Sequence, residues 1–224
     1  MAALDLVNYD EAITLRTGEV SVEGKTVFIV DDDEDIGQSI GSLLRSLGYQ
    51  VEVFTAPMSF LERAQAGASG CVLLDVRLPV VSGLEIQRRL REAKRTIPII
   101  FLTAHGDIEM AVAAMKAGAA EFLPKPFREQ QLIDAVADAM ARSEQTEEAD
   151  RIRNDYKASL LLLSPKEREV LDDLSAGLQV KEVATNRNLS PSTVRVHRRN
   201  IRSKIQGKNL GAFIMLHNTY RHQP

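Results

Sequence analysis

The sequence predicts an α/β domain built on a parallel sheet, followed by a small all-helical domain. Short apolar segments alternate with amphipathic ones in the first part of the chain, whereas only helical patterns follow residue 164. Residues 1–150 contain 14 Lys and Arg against 25 Asp and Glu, a net charge of −11, and residues 151–224 contain 14 against 6, a net charge of +8. This asymmetry indicates two domains with different partners, and a polyanion suits the second.

The first part of the chain repeats one pattern five times, a short apolar segment followed by an amphipathic one. Strands are predicted at residues 26–30, 50–54, 71–74, 98–102 and 120–123, with helices that begin near residues 36, 57, 84, 107 and 128. Continuously apolar strands are typical of a parallel sheet covered on both faces. Right-handed crossovers leave few topologies, and the flavodoxin-like order 2-1-3-4-5 places strands 1 and 3 at the switch point, where ligands bind.

The sequence divides into four segments. Residues 1–24 are polar and aperiodic, which predicts a flexible extension, and residues 25–141 form the α/β domain. Residues 142–159 are highly charged and lack Gly and Pro, so we predict a helical linker that extends the preceding helix. Residues 160–224 form the helical domain.

The helical domain carries clear start signals. Ser164-Pro165-Lys166-Glu167 is a capping box with Pro at the first helical position. A short helix is predicted at residues 180–187, a longer one at 191–205 and a last one at 210–220. The first two of these are joined by a short turn and the second is rich in arginine, which predicts a helix-turn-helix.

Polar side chains follow four of the predicted strands: Asp31 and Asp32, Asp75, Thr103, and Lys125. The carboxyl ends of parallel strands line one edge of the sheet, so these side chains should converge. Neighbouring carboxylates repel one another unless a cation or a proton is present. The set therefore predicts a metal-assisted carboxylate nucleophile with a cationic anchor, which is the chemistry of phosphoryl transfer onto aspartate.

Each residue of this set has a predicted role. Asp31 and Asp32 would hold Mg²⁺ (or Mn²⁺), and Asp75 would both bind the ion and attack phosphorus. Lys125 would pair with one phosphoryl oxygen, and Thr103 would donate a hydrogen bond to another. Because the hydroxyl gains a strong acceptor only after phosphorylation, the contact can act as a switch.

The helix predicted at residues 191–205 has an apolar face and a basic face. Val194, Ile201 and Ile205 should pack inward. We expect base contacts from Arg195, Val196, Arg199 and Arg202. We expect phosphate contacts from Thr193, Arg198, Lys204 and Lys208.

Four motifs of the first domain resemble the receiver domains of two-component response regulators. They are Val30-Asp-Asp-Asp-Glu34, Leu73-Leu-Asp-Val-Arg-Leu-Pro79, Phe101-Leu-Thr-Ala104 and Phe122-Leu-Pro-Lys-Pro-Phe127. The resemblance implies that a sensor histidine kinase phosphorylates Asp75. It also implies that the backbone carbonyl of Arg77 is a metal ligand, that the Lys125–Pro126 peptide is cis, and that Phe122 changes rotamer with the threonine.

The second domain resembles the LuxR-type helix-turn-helix in Leu163–Leu171, 176–178, 181–184 and 192–198. As a whole the chain is similar to the NarL/FixJ family of transcription factors, nearer the FixJ branch. That resemblance implies promoter DNA and the transcription machinery as partners, and a homodimer on phosphorylation or on DNA, with the last helix pairing two copies. Residues 205–209 and Gln179-Val180 depart from the usual pattern, which affects the expected sequence preference.

Two other functions stay open on the sequence. A phosphorelay or protein-binding regulator would keep a helix-turn-helix that no longer binds DNA. A phosphohydrolase with an aspartate nucleophile would use an Asp-x-Asp pair after the first strand, a spacing that Asp31 and Asp33 match, although Asp35 stands where such enzymes have Thr or Val. The leading interpretation is a regulator without enzymatic activity.

Composition also bears on location. No apolar stretch approaches the roughly 20 residues that span a bilayer, and no secretion signal is evident, so we expect a cytoplasmic protein without membrane contact. Cys71 lies in the apolar segment 71–74, which predicts a core cysteine.

Overall fold

The computed structural model describes residues 25–104, 108–205 and 209–221. The chain divides into two units between Gln145 and Thr146. The extension predicted for residues 1–24 lies outside the described residues.

The first unit is built on a parallel five-stranded sheet in the order β2-β1-β3-β4-β5, as predicted. Its strands are β1 Thr26–Val30, β2 Gln50–Phe54, β3 Gly70–Asp75, β4 Ile99–Thr103 and β5 Glu121–Pro124. Val30 pairs with Leu74 in the neighbouring strand. The next residues along the two strands are Asp31 and Asp75, so the register alone brings these two acids side by side.

Helices cover both faces of this sheet. They are α1 Glu34–Ser46, α2 Pro57–Gln65, α3 Gly83–Glu92, α4 Ile108–Lys116 and the first part of α5 Glu129–Leu161. Successive strand residues point to opposite faces, so Ile29 belongs to one apolar core and Phe28 to the other. Cys71 is fully buried in the first core, and this burial raises the pKa of its thiol to about 12. The prediction of a core cysteine is confirmed.

The described residues of the second unit form four further helices, α6 Pro165–Ser175, α7 Val180–Asn186, α8 Pro191–Lys204 and α9 Leu210–Tyr220. The capping box at Ser164 and Glu167 is present, and the Ser190 side chain caps α8. The three side chains predicted to pack inward from α8 are fully buried: Val194, Ile201 and Ile205.

Helix α5 is continuous for 33 residues and includes the whole predicted linker. The linker was predicted as a charged spacer, yet Tyr156 on this helix is almost fully buried in the core of the second unit. Its ring centroid lies 5.5 Å from that of Phe213 on α9. The last turns of α5 are therefore packed as part of the second unit.

Hydropathy gives no support for a membrane span. Among the described helices, none combines the length and the apolar character that crossing a bilayer requires.

The loop between β3 and α3 is held tightly against the end of β3. The backbone N–H of Gly83 donates to the carbonyl of Val76 over 3.0 Å. A Cβ atom at Gly83 would collide with the carbonyl oxygen of Asp75 and would crowd the side chains of Phe101 and Leu74. Only a residue without a side chain fits this close backbone approach.

We expect Gly83→Ala to lower the free energy of unfolding by about 1 to 3 kcal/mol, the usual cost of overpacking a site that cannot relax. Urea denaturation of the full chain followed by circular dichroism measures the change. Gly41→Ala in α1 is the matched control, because its new Cβ would meet only the mobile end of Arg45 and alanine favours a helix. Equal stability of Gly83→Ala and the unmodified chain would contradict the proposed close approach.

Candidate functional site

The polar residues predicted to converge do so at the carboxyl edge of the sheet. Asp31 and Asp32 follow β1 directly, Asp75 and Thr103 are the last residues of β3 and β4, and Lys125 follows β5. Carboxylate oxygens from the three aspartates all lie within 4.8 Å of one another. The parallel strands thus bring three acids and one lysine together and place Thr103 at the same edge of the sheet.

Lys125 forms the central contact of this site. Its Nζ atom lies 2.6 Å from Asp31 Oδ2 and 2.8 Å from Asp75 Oδ2. Burial would lower the pKa of the ammonium, but the hydrogen bonds to the two carboxylates outweigh it and the pKa is raised. The lysine therefore stays charged and offsets part of the repulsion between the acids.

Backbone donors orient the two buried carboxylates. The N–H of Asp33 donates to Asp31 Oδ1 over 3.0 Å, and the N–H of Arg77 donates to Asp75 Oδ1 over 2.9 Å. Asp31 is 1% exposed and Asp75 is 9% exposed, whereas Asp32 is exposed to solvent. The second oxygen of each buried carboxylate faces Lys125, so both carboxyl groups are held in one orientation.

Thr103 and Phe122 lie on the neighbouring strands. Thr103 is almost fully buried, and its carbonyl accepts a hydrogen bond from the backbone N–H of Lys125. Phe122 is half-buried, with its ring centroid 6.4 Å from that of Phe101. The Lys125–Pro126 peptide is cis, as the resemblance implied. The signalling roles of the threonine and the phenylalanine stay predictions.

The acidic cluster fits a small divalent cation. It offers three carboxylates, which are the hard oxygen ligands that Mg²⁺ prefers, and one of them, Asp32, is open to solvent. Mg²⁺ keeps several of its waters, so a site with few protein ligands suits it. The backbone of Arg77 is tied to Asp75 through its N–H, and the role of its carbonyl as a ligand stays a prediction.

The second candidate site is the outward face of α8. Arg195, Val196, Arg199 and Arg202 are exposed there, as predicted for residues that contact bases. Thr193 and Arg198 are partly buried. The four arginines, including Arg198, line a shallow cleft of about 300 Å³. A dense positive surface on α8 is thus available to a polyanion.

Two residues predicted to contact phosphates differ from the rest. Lys204 places its Nζ atom 2.7 Å from Oε2 of Glu167, a buried carboxylate that also accepts from the backbone N–H of Ser164. The positive charge of Lys204 is therefore partly offset by Glu167 within the unit. Lys208 lies outside the described residues. Contacts of these two lysines with phosphates stay predictions.

An ion pair that the sequence analysis missed anchors the turn before α8. Arg187 donates from Nε and Nη2 to the two oxygens of Asp173, over 2.6 and 2.8 Å, and Asn186 donates to the same carboxylate. The hydrogen bonds from Arg187 hold the pKa of Asp173 below its ordinary value. No local sequence pattern predicts this ion pair, because its partners lie 14 residues apart in the sequence.

A second unpredicted contact joins α5, α6 and α9. The hydroxyl of Tyr156 lies 2.9 Å from Nδ1 of His217, and Nε2 of His217 lies 2.8 Å from Oδ1 of Asp172. The histidine is almost fully buried, so both of its ring nitrogens have polar partners inside the unit. The contact stabilises the packing of the end of α5 on the helical unit.

Comparisons with known proteins agree with this architecture. Residues 27–137 match the response regulator receiver domain, and residues 161–216 match the bacterial regulatory proteins of the luxR family. The response regulator protein TmoT of Ectopseudomonas mendocina is 43% identical over 180 residues, covering 80% of this chain and 82% of the relative. The transcriptional regulatory protein FixJ of Rhizobium meliloti (strain 1021) is 40% identical over 185 residues, covering 83% of this chain and 91% of the relative.

Solved structures show the same relationship. The response regulator StyR is similar with a TM-score of 0.78 and 40% identity, over 88% of this chain and 99% of that one. Full-length FixJ from B. japonicum is similar with a TM-score of 0.54 and 34% identity, over 87% and 96% of the two chains.

The ion pair at Asp173 generates a prediction for the dependence of stability on pH. Since the pKa of Asp173 is lower in the folded chain than in the unfolded chain, its contribution is present above about pH 3.9, the ordinary aspartate value, and is lost as the pH falls through the folded value. We expect Asp173→Asn to be clearly less stable than the unmodified chain at pH 6, with a difference that shrinks below about pH 4. Thermal unfolding at several pH values measures this difference. In the control Glu148→Gln, which removes an exposed ion pair with Arg151, little change is expected at any pH.

Proposed function

Because the chain belongs to the DNA-binding response regulators of the NarL/FixJ type, which join a receiver domain to a LuxR-type helix-turn-helix, we propose that phosphorylation of Asp75 controls its binding to DNA. One observation carries the proposal. The ammonium of Lys125 lies against both Asp31 and Asp75, with Asp32 beside them, which supports Asp75 as the nucleophile and Lys125 as its cationic anchor.

The phosphoryl donor in this proposal is a phosphohistidine of a sensor histidine kinase. An oxygen of Asp75 forms a bond to phosphorus while the bond from phosphorus to the imidazole nitrogen breaks. The imidazole keeps the electron pair of that bond and takes up a proton. Lys125 pairs with a phosphoryl oxygen of the product and keeps its contact with Asp31, so the new negative charge meets an ammonium already in place.

Asp31, Asp32, Asp75 and the carbonyl of Arg77 are the ligands we propose for Mg²⁺ or Mn²⁺. When bound, the cation supplies positive charge that offsets the charge on the carboxylates and on the phosphoryl oxygens. The exposed position of Asp32 supports entry of the ion from solvent.

Thr103 and Phe122 are the residues we propose to transmit the change. The Thr103 hydroxyl would turn toward the phosphoryl oxygen, a stronger acceptor than any neutral partner. Movement of the threonine frees space next to β5, where the half-buried ring of Phe122 can turn inward. A receiver with altered surface on β4 and β5 then favours a homodimer, which binds promoter DNA and acts on the transcription machinery in the cytoplasm.

For DNA contact we propose the outward face of α8. Arg195, Val196, Arg199 and Arg202 are exposed and suit base edges in the major groove. Phosphate contacts are proposed for Thr193, Arg198, Lys204 and Lys208. Because the ammonium of Lys204 also pairs with Glu167, we expect Lys204 to contribute less to DNA affinity than Arg198.

The proposed switch predicts that acetyl phosphate with Mg²⁺ raises the DNA affinity of the unmodified chain by about tenfold, the size of a typical coupling between two sites. Asp75→Asn removes the nucleophile and should abolish this response. A gel shift with DNA that the unmodified chain selects from genomic fragments measures both.

Asp33→Asn is the matched control for this experiment. Asp33 lies in the same acidic segment, but its side chain caps α1, and asparagine caps a helix equally well. This variant should respond like the unmodified chain. If Asp75→Asn responded to acetyl phosphate as strongly as the unmodified chain, the switch would lie elsewhere. In a separate assay, steady turnover of a small phosphate ester by the unmodified chain would favour a phosphohydrolase.

The proposed DNA surface predicts different effects for two neighbouring arginines. Arg199→Gln, at a base-reading position, should weaken binding to selected DNA by about tenfold to hundredfold and affect unrelated DNA much less. Arg198→Gln, at a phosphate-contacting position, should weaken binding to both and lower the slope of log affinity against log salt by about one. Fluorescence anisotropy at several salt concentrations measures both effects.

The control for these variants is Arg151→Gln, which removes the same charge from an exposed position on α5. It should leave affinity and slope close to those of the unmodified chain. DNA affinity that hardly depended on salt in the unmodified chain would favour a regulator that binds protein instead of DNA.

A further inference from the structure

The first unit contains a cleft of about 320 Å³ at the amino edge of the sheet, where the strands begin, opposite the acidic site. It lies between the end of α3, the end of α4 and the start of β4, and its apolar lining includes Leu90, Ile97 and Ile99. This volume is within the range of sites for small molecules, roughly 300 to 1,000 Å³. We call it the amino-edge cleft.

Four basic residues also line the amino-edge cleft: Arg91, Lys94, Arg95 and Arg142. They belong to the 14 Lys and Arg residues of the segment 1–150, whose net charge is −11. All four residues are exposed. The cleft is therefore a positive region in a segment that is acidic as a whole, and it attracts anions that the rest of the segment repels.

The carboxylates of α3 are paired with other arginines. Glu85 pairs with Arg88 and Arg89, and Glu92 pairs with Arg88. Within the part of the chain that the structure describes, three basic residues of the cleft form no ion pair: Arg91, Lys94 and Arg95. Their positive charges are therefore not offset by a neighbouring carboxylate and are available to a bound anion.

The dipole of α3 explains only part of this basic cluster. Positive side chains are favourable in the last turn of a helix, where Arg91 lies, but Lys94 and Arg95 follow the end of the helix. Lys94 has a φ of 54°, in the left-handed region that glycine adopts at lower cost after a helix. The lysine thus keeps an ammonium beside the cleft although glycine would relieve the backbone.

Backbone contacts orient two of the arginines. Arg95 donates from Nη2 to the carbonyl of Gln65 at the end of α2, and Arg142 donates from Nη1 to the carbonyl of Ala120 over 3.3 Å. A carbonyl oxygen orients a guanidinium without neutralising its charge. Both side chains are therefore ordered before an anion binds, which lowers the entropic cost of binding.

A buried amide adds a polar group to the lining of the cleft. Gln87 is 5% exposed, and its Nε2 atom donates to the carbonyl of Ala114 over 3.2 Å. Its Oε1 atom has no hydrogen-bond partner among the residues that the structure describes. Because Gln87 lines the cleft, this oxygen is available to a hydroxyl or N–H of a ligand.

We propose that the amino-edge cleft binds a small organic anion, in which a carboxylate or phosphate group is joined to an apolar body. Arg91, Lys94 and Arg95 pair with the anionic group, while the apolar body packs against Leu90 and Ile99. An inorganic anion would leave this apolar lining in water, and a neutral apolar molecule would displace water from the cations without replacing its contacts. The site lies at the edge opposite the acidic site, so it does not depend on the proposed phosphorylation.

Nuclear magnetic resonance of the isotope-labelled full chain tests the proposal. The probe is 2-naphthoate, which joins a carboxylate to two fused rings, and 2-naphthyl phosphate carries a phosphate in its place. Backbone amide signals of Thr96 and Gly118, which line the cleft, should shift, with a Kd of about 0.1 to 1 mM for the better probe. The uncharged 2-naphthamide, and acetate without the rings, should each bind at least about tenfold more weakly.

Two variants test the cations of the cleft. Arg91→Gln and Lys94→Gly should each weaken binding of 2-naphthoate by about fivefold to tenfold, because each removes one positive charge from the cleft. Glycine adopts the left-handed conformation without strain, so the unfolding temperature of Lys94→Gly should be no lower than that of the unmodified chain. Weaker binding by this variant therefore cannot result from a loss of folding.

Arg88→Gln is the matched control, because it removes a positive charge from α3 at a residue that pairs with Glu85 and Glu92 outside the cleft. It should bind 2-naphthoate within about twofold of the unmodified affinity. The inference is overturned if neither probe shifts the signals of the cleft, or if the shifts are confined to α8. It is also overturned if 2-naphthamide binds as tightly as 2-naphthoate, or if Arg91→Gln and Lys94→Gly bind with unchanged affinity.

Discussion

The ion pairs that the ammonium of Lys125 forms with Asp31 and Asp75 are the interaction on which the arrangement of the acidic site depends. Three carboxylates lie within 4.8 Å of one another at the end of the sheet, and without a cation they would repel. A parallel sheet places the ends of β1, β3 and β5 on the same edge, so it supplies both the acids and the lysine that offsets them. The same arrangement suits the phosphorylation proposed for Asp75, because the added negative charge would lie beside an ammonium already in place.

The buried carboxylates also organise the loops around them. Asp31 accepts from the backbone of Asp33, which caps α1, and Asp75 accepts from the backbone of Arg77, which begins the loop between β3 and α3. The phosphorylation proposed for Asp75 would therefore act directly on the backbone of the loop that follows it.

The helical unit separates its stabilising contacts from its exposed charges. Buried apolar residues and the pair of Arg187 with Asp173 fix α8 and the turn before it, while the arginines on its other face stay exposed. Tyr156 adds the end of α5 to the same core through its contacts with Phe213 and His217. A basic surface held on a well-packed scaffold can bind a polyanion without large reorganisation, which favours affinity.

Local patterns in the sequence were sufficient for the strands, their order, the helix caps and the set of residues at the sheet edge, because hydrophobic periodicity reports burial and the chirality of crossovers limits topology. The tertiary structure alone decided which atoms pair. Lys125 contacts acids that lie 94 and 50 residues away in the sequence, and Lys204 forms an ion pair with the buried Glu167. Tyr156 is buried although the composition of its segment predicts a solvated helix. Such features depend on distances between remote parts of the chain, and no local pattern of residue types contains those distances.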